Sequence, residues 1–280
     1  PPRSTLFPYT TLFRSAVGLA TALSVTPVED RGRMQSAPST ISKSAQPTPA
    51  VRPVALSRRL QTIRQMFEAA EANDLGVLAG LLSANAENTW VREAKHNLLI
   101  WAIKNRKDAM VQIVLDAGAK PEAKDEKGNT ALHLAVFSLE MTLALLKAGA
   151  DPNVKTRWGD QTPLHKAAED GHTDVMKALI DAGADPNAVD SQGDTPLLRA
   201  AYHDEPEAIR LLISAGAGMC VSRYEGYHPM HYAADGGATE AIMALVACGA
   251  PVEPTSPYGY TPMHIAAQGF DADKTVPLLL

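Results

Sequence analysis

The chain has 280 residues, of which 45% are hydrophobic, 5% aromatic and 20% charged, and its formal net charge is −5. Residues 64–280 hold 18 Lys and Arg against 29 Asp and Glu, a net charge of −11. An acidic domain argues against nucleic acid as a partner, because such binding depends on basic side chains that neutralise phosphates. Two cysteines, Cys220 and Cys248, do not make a disulfide framework, and they favour a reducing compartment, so we predict the cytoplasm.

The first 56 residues are predicted to lie outside the folded domain. Residues 1–15 are interpreted as an artefact, since 5–15 resembles a translated sequencing adapter and no initiator Met precedes it. Residues 16–56 are predicted to be a disordered linker rich in Pro and Ser. The apolar segment 16–24 has a second interpretation, the remnant of a secretory leader, which would make the protein secreted or periplasmic. No membrane span is predicted, because the segment is too short to cross a bilayer.

From residue 64 onward, a four-residue phrase recurs with a period of 33 residues. It reads Thr-Pro-Leu-His at 162–165, Thr-Pro-Leu-Leu at 195–198, His-Pro-Met-His at 228–231 and Thr-Pro-Met-His at 261–264. Thr-Ala-Leu-His at 130–133 comes 32 residues before the first of these, and the register extends back to 97 and 64. A second landmark, Ala-Gly-Ala, keeps the same phase at 117–119, 148–150, 182–184 and 215–217. A fixed period of this length predicts stacked units of supersecondary structure.

The residue types of one unit are consistent with two helices. Thr162 is suited to cap a helix, and the following Pro to its first turn, where no amide donor is needed. Val175 and Leu179 place an apolar stripe on a second helix at helical spacing. Gly183 is expected to end that helix with a left-handed backbone.

The phrase, in phase with its second landmark, resembles the ankyrin repeat over residues 64–280. The resemblance implies an all-α solenoid of helix-turn-helix units with projecting β-hairpin fingers, in a domain of residues 57–280. About seven units would start near 64, 97, 130, 162, 195, 228 and 261. The unit at Thr130 is two residues short after Ala135 and has one extra residue, Asp160, in its finger. The last unit is predicted to be truncated, with Pro277 disfavoured inside its second helix, so we expect a piece of a longer protein.

Four of the eight histidines occupy the fourth position of the phrase, and we interpret them as structural. In ankyrin-like units this imidazole bonds within its own turn and to the neighbouring unit. Because the four are about one repeat apart, they lie in a row and do not converge on one ion. No metal site, cofactor or catalytic residue is predicted, since no zinc, phosphate-loop or nucleophile motif is present. These histidines are His133, His165, His231 and His264.

The positions that vary between units indicate a binding surface. The residue after the fourth phrase position is predicted to face the concave side, because the Leu two residues earlier faces the core. We call this position the groove slot. A mixture of Trp, Tyr, Lys and Arg on one exposed face is typical of protein interfaces. The groove slots are occupied by Glu68, Trp101, Leu134, Lys166, Arg199, Tyr232 and Ile265, and Tyr202 is added to the predicted contact residues.

A second predicted contact set lies on the fingers. Exposed aromatic clusters mark interfaces, although an aromatic after the finger glycine also serves in ankyrin-like units to cover the neighbouring finger. The finger set comprises Arg157, Trp158, Tyr224, Tyr227, Tyr258 and Tyr260.

The predicted function is a non-catalytic, monomeric scaffold that binds a partner protein of basic or aromatic character. Replacing Arg199, Tyr232 and Trp158 together with Ala is expected to abolish capture without changing the helical melt. Two alternatives stay open. The repeats are a regulatory or targeting arm of a larger enzyme or channel, or they are a substrate for asparagine hydroxylation at Asn153 and Asn187. The second rests on a resemblance to the sequence context that such hydroxylases modify.

Overall fold

The computed structural model describes residues 53–219, 226–269 and 271–280, with side chains from residue 58 onward. Their regular structure consists of 14 helices, which follow one another as seven pairs, one pair for each repeat. The helices are α1 (Pro53–Glu71), α2 (Leu75–Ala84), α3 (Val91–Lys104), α4 (Asp108–Asp116), α5 (Ala131–Leu134), α6 (Leu139–Lys147), α7 (Pro163–Glu169), α8 (Thr173–Asp181), α9 (Pro196–Tyr202), α10 (Pro206–Ser214), α11 (Pro229–Asp235), α12 (Thr239–Ala247), α13 (Pro262–Ala266) and α14 (Ala272–Leu279).

The start of each first helix follows from the phrase. Thr162 has an extended backbone with φ −91° and ψ 164°, which ends the incoming finger, and it forms a capping box with His165 at the start of α7. Pro163 occupies the first helical position, where its missing amide costs no hydrogen bond. At the other end of the unit, Gly183 has φ +92°, a left-handed conformation that an L side chain rarely adopts. The phrase and its glycine therefore fix where the helices of each unit begin and end.

The units stack through two rows of helices. First helices α7, α9, α11 and α13 pack side by side, and second helices α8, α10, α12 and α14 form the neighbouring row. The third residue of the phrase and the two alanines that follow the groove slot are buried, and the small alanines let adjacent helices approach closely. Burial of each phrase Leu or Met contributes roughly 2 kcal/mol by removing its surface from water. The buried core of these units includes Leu164, Ala167, Ala168, Leu197, Ala200, Ala201, Met230, Ala233 and Ala234.

The fingers are tight turns. Four of the described fingers are closed by a main-chain hydrogen bond, such as Asp190 N to Asp194 O at 2.9 Å and Ser256 N to Tyr260 O at 2.8 Å. Within the described ranges no strand is formed, and Lys124 with Thr130 makes the single antiparallel bridge. The predicted β-hairpin fingers are thus present as hairpin turns without extended ladders.

The third unit is clipped as predicted, whereas the expectation that Pro277 would be excluded from the second helix of the seventh unit is wrong. Helix α5 has only 4 residues, whereas α7 has 7. The extra finger residue Asp160 has φ +51° and follows Gly159 at φ +89°, so the insertion is absorbed by two consecutive left-handed residues. Pro277 lies inside α14, which begins at Ala272, so this helix tolerates a residue that gives no amide to its ladder.

The N-terminal boundary differs from the prediction. Helix α1 begins at Pro53, inside the stretch assigned to the linker, and runs for 19 residues. The predictions for residues 1–52, the adapter, the leader remnant and most of the linker, fall outside the described residues. No helix among those described is long and apolar enough to cross a bilayer.

Candidate partner-binding groove

Three of the four phrase histidines, His133, His165 and His231, bond to the finger that precedes the next phrase. The backbone N–H of Thr162 donates to Nδ1 of His165 at 3.1 Å, and Nε2 of His165 lies 3.0 Å from the carbonyl oxygen of Asp194 in the following finger. His231 repeats the arrangement, with His228 N at 3.0 Å and the carbonyl oxygen of Tyr260 at 3.0 Å. An imidazole that accepts at Nδ1 must carry its proton on Nε2, so these rings are neutral donors that position the fingers.

Burial holds these histidines in the neutral form. The pKa values of His133, His165 and His231 lie below their usual range, because desolvation disfavours the imidazolium more than the carbonyl partner on Nε2 favours it. Their structural interpretation therefore accounts for both ring nitrogens. Among the residues that the structure describes, no group of three or more His, Cys, Asp or Glu side chains could hold a metal ion.

An open cavity of about 720 Å³ crosses the first helices of the last three units and the fingers that precede these helices. Five of the predicted contact residues line it, from both the groove-slot set and the finger set. Tyr202 and Tyr260 come from two different units and have exposed fractions of 43% and 44%, so aromatic surface faces solvent in this cavity. The lining residues are Gln192, Asp194, Arg199, Tyr202, Tyr227, His231, Tyr232, Asp235, Tyr260, Ile265, Gln268 and Gly269.

A charged hydrogen-bond network forms one wall of the cavity. Arg199 donates to Asp190 Oδ2 at 2.7 Å, and the same guanidinium nitrogen lies 3.3 Å from Asp194 Oδ2. The hydroxyl of Tyr232 donates to the other oxygen of Asp194 at 2.5 Å. The network therefore ties a finger to the groove slots of two successive units.

The two partners in this wall stabilise each other's charge. Burial would raise the pKa of Asp190, but hydrogen bonds from Arg199 and from the backbone of Gln192 and Asp194 hold it below its usual range. Burial would likewise lower the pKa of Arg199, but its two carboxylate partners keep it raised. Arg199 is therefore part of the folded framework as well as of the surface. Its replacement by Ala would strand a buried carboxylate and lower stability, contrary to the expectation of an unchanged melt.

Ile265 also lines the cavity, and the remaining groove-slot residues lie outside it. Lys166 pairs with Glu169 at 3.0 Å and Asp170 at 3.1 Å on its own helix. Trp101 and Leu134 are half-buried and pack against the core. The predicted groove thus divides into a cavity at its C-terminal end and separate groove slots before it.

Of the finger-set residues, Tyr227 and Tyr260 line the cavity, and the other described members lie outside it. Trp158 and Tyr258 are the most exposed aromatics, at 74% and 72%, and the guanidinium of Arg157 lies 5.3 Å from the ring centroid of Trp158. The ring of Tyr227 lies 5.2 Å from that of His231, so it covers the histidine while it lines the cavity. Tyr224 and Cys220 fall outside the described residues, and Cys248 is a free cysteine.

Sequence reasoning missed the acidic members of the cavity. The repeat pattern does not identify Asp194 and Asp235 as cavity residues, because no spacing rule connects a finger Asp with the end of a first helix. The signal that could have found Asp235 is its helix position. It is three residues after the groove slot Tyr232, whereas Glu169 at the same place follows a Lys.

The two candidate hydroxylation residues join successive fingers. Asn153 Nδ2 donates to the carbonyl oxygen of Gly183 at 2.9 Å, and its Oδ1 accepts from Asp185 N at 2.8 Å. Asn187 makes the equivalent bonds with Gly216 O at 3.2 Å and Gly218 N at 2.8 Å. Both side-chain amides are thus occupied in the fold, and hydroxylation at Asn153 or Asn187 stays a prediction.

Comparison with known proteins places this arrangement in a family. The family profile for ankyrin repeats, in three copies, matches residues 66–156 and 139–223. The solved structure of the ankyrin repeat domain of Bcl-3, described as a unique member of the IkappaB protein family, superposes with a TM-score of 0.64 and 26% identity. The match covers 77% of this chain and 97% of that domain.

Curated relatives share only part of their length with the chain. Protein PhlB of Serratia liquefaciens is 40% identical over 100 residues, which are 35% of this chain and 44% of PhlB. E3 ubiquitin-protein ligase KEG of Arabidopsis thaliana is 38% identical over 88 residues, which are 30% of this chain and 5% of KEG. The chain thus spans less than half the length of these relatives. With the repeat profile matched over more than half of the chain, the protein belongs to the ankyrin repeat family.

Proposed function

We propose that this protein is a non-catalytic scaffold that binds a segment of a partner protein in the groove of its last four units. Ankyrin repeats generally mediate protein–protein interaction. The observation that carries the proposal is the cavity, in which Arg199, Tyr202, Tyr227, Tyr232 and Tyr260 meet from two successive units. Half-exposed tyrosines beside hydrogen-bonded charges are the composition that protein interfaces favour.

The size of the cavity also suits a peptide segment. A volume of about 720 Å³ is larger than one side chain and falls within the range of pockets that bind small molecules. Its opening runs across fingers and first helices, so an extended chain can enter without displacing the core. We therefore assign the groove to a short segment of a partner and not to a second folded domain.

A random dodecapeptide library displayed on phage, selected against the full chain, tests this proposal. The groove variant replaces the two most exposed tyrosines of the cavity, Tyr202 and Tyr260, with Ala. The matched control replaces two exposed apolar residues of second helices with Ala. The control residues are Leu143 and Met243, whose exposed fractions are 49% and 45%.

The proposal predicts that selected peptides bind the full chain and the control alike, and bind the groove variant at least about tenfold more weakly. Peptides that bind the groove variant and the full chain equally would contradict it. Urea unfolding of all three proteins checks that exposed substitutions leave the fold intact.

A second candidate function is a regulatory or targeting arm of a larger protein. It is favoured by the relatives, since a ligase and a phosphodiesterase share only 5% and 11% of their length with this chain. Sequencing of the complete transcript from native material tests it. A catalytic or membrane domain in the same reading frame would support the arm, and further repeats without one would support the free-standing scaffold.

A further inference from the structure

The carboxylate of Asp235 is exposed and without an ionic partner among the residues that the structure describes. It is the last residue of α11, where the helix dipole disfavours negative charge. Its side chain lines the cavity and makes no hydrogen bond with the described residues. Nothing in the local fold therefore explains an acid at this place.

The equivalent positions of other units show what is unusual here. In α7 the corresponding acid is Glu169, and the groove-slot residue one turn earlier, Lys166, neutralises it at 3.0 Å. In α11 the groove slot is Tyr232, whose hydroxyl is directed to Asp194, so no cation stands one turn before Asp235. The same helix position thus carries a self-neutralised acid in one unit and an unneutralised acid in another.

The charge around the cavity is negative. The cavity is lined by the carboxylates of Asp194 and Asp235 and by one guanidinium, that of Arg199, which also pairs with Asp190, and burial keeps His231 neutral. The repeat region as a whole carries a net charge of −11, which would attract a basic segment to this face. Tyrosine rings beside an acid favour a cation further, since the face of an aromatic ring attracts positive charge.

We propose that the cavity takes an arginine or lysine side chain of the partner segment, with its charged end at Asp235 and its stem against Tyr202 and Tyr260. This inference rests on the proposed function, because it names the partner chemistry of the same groove. An aliphatic stem on aromatic surface with the head group at a carboxylate satisfies both parts of a basic side chain. Glu169 offers no such binding place for a cation, because its carboxylate already pairs with Lys166.

Fluorescein-labelled nonapeptide pools test the inference by anisotropy with the full chain. Each pool has a fixed central residue, Arg, Lys, citrulline, Leu or Glu, between randomised positions. Citrulline keeps the shape of Arg without its charge. We expect the Arg and Lys pools to bind about tenfold tighter than the citrulline pool, and Asp235→Asn to remove this preference. The matched variant Glu169→Gln should keep it.

Equal binding of the Arg and citrulline pools, or a preference that survives Asp235→Asn, would overturn the cation subsite. Tightest binding of the Leu pool, abolished by the groove variant, would overturn the subsite while the groove function stands. If no pool binds although display-selected peptides do, the subsite is likewise overturned and the groove retained. Failure of the display selection itself counts against the groove function.

Discussion

The unit that starts at Thr162 and the unit that starts at His228 share one framework and differ on one surface. Both have a capping box with a histidine at its third position, and both histidines reach the carbonyl oxygen of the next finger at 3.0 Å. They differ at the groove, where Lys166 and Glu169 in one unit neutralise each other and Tyr232 and Asp235 in the other do not. Framework positions are thus fixed by packing, while groove positions are free to carry recognition.

Replacement of the phrase histidine in either unit should lower the free energy of unfolding by a similar amount. His165→Ala and His231→Ala each strand a carbonyl oxygen and a capped turn in a buried place, so we expect each to lower the free energy of unfolding by about 3 kcal/mol. Urea unfolding followed by circular dichroism measures the loss. His264→Ala is the matched control, because His264 is exposed and its Nδ1 bonds only within its own cap. A loss for His264→Ala as large as for the other two would contradict the role assigned to burial and the inter-unit bond.

A close approach of backbones distinguishes the His228 unit. A Cβ on Gly236 would lie 2.1 Å from the carbonyl oxygen of Tyr202, whereas the equivalent residue in the Thr162 unit is Asp170. Gly236→Ala should therefore push α11 from α9 and lower the free energy of unfolding by about 2 kcal/mol. Gly80→Ala, in a helix with nothing within 4 Å, should raise it by about 0.5–1 kcal/mol. Equal effects of the two substitutions would show that the contact between Gly236 and the carbonyl oxygen of Tyr202 does not constrain the packing of α11 on α9.

Acid should weaken the shared framework. The pKa of His165 is depressed in the folded protein below its ordinary value of 6.5, so its contribution is present above pH 6.5 and is lost as pH falls toward the folded pKa. Between pH 7.5 and 5.5, we expect the free energy of unfolding to fall less in His165→Ala than in the wild-type protein, by about 1 kcal/mol. Urea titrations at both pH values give this difference. An equal fall in the free energy of unfolding in the two proteins would contradict it.

The smallest expected effects compare the two acids directly. Glu169→Gln removes a partly exposed ion pair with Lys166 and should lower the free energy of unfolding by about 0.5 kcal/mol. Asp235→Asn removes a charge from an unfavourable helix end and should leave stability unchanged or raise it by about 0.3 kcal/mol. Urea unfolding curves of each variant and the wild-type protein give the sign of the change in the free energy of unfolding. A loss for Asp235→Asn equal to that for Glu169→Gln would mean that Asp235 has an intramolecular partner.

The phrase and its period are sufficient to predict the fold, because capping, proline placement and glycine positions act locally within each unit. The clipped helix α5 and the insertion at Asp160 were also readable from spacing. The cavity was only partly predictable. Tyr232 and Arg199 follow from the groove slot, but their contacts with Asp194 depend on how a finger folds back over the next unit. The early start of α1 at Pro53 escaped prediction because no phrase marks it.

Hydrogen exchange of the full chain with and without a display-selected peptide shows where the partner segment binds. Binding in the groove should slow exchange in the parts of the chain that contain α9 and α11, the two helices that present Tyr202, Tyr232 and Asp235 to the cavity. Slower exchange confined to α10 and α12, the second helices of the same units, would place the partner on the opposite row and contradict the groove as its binding site.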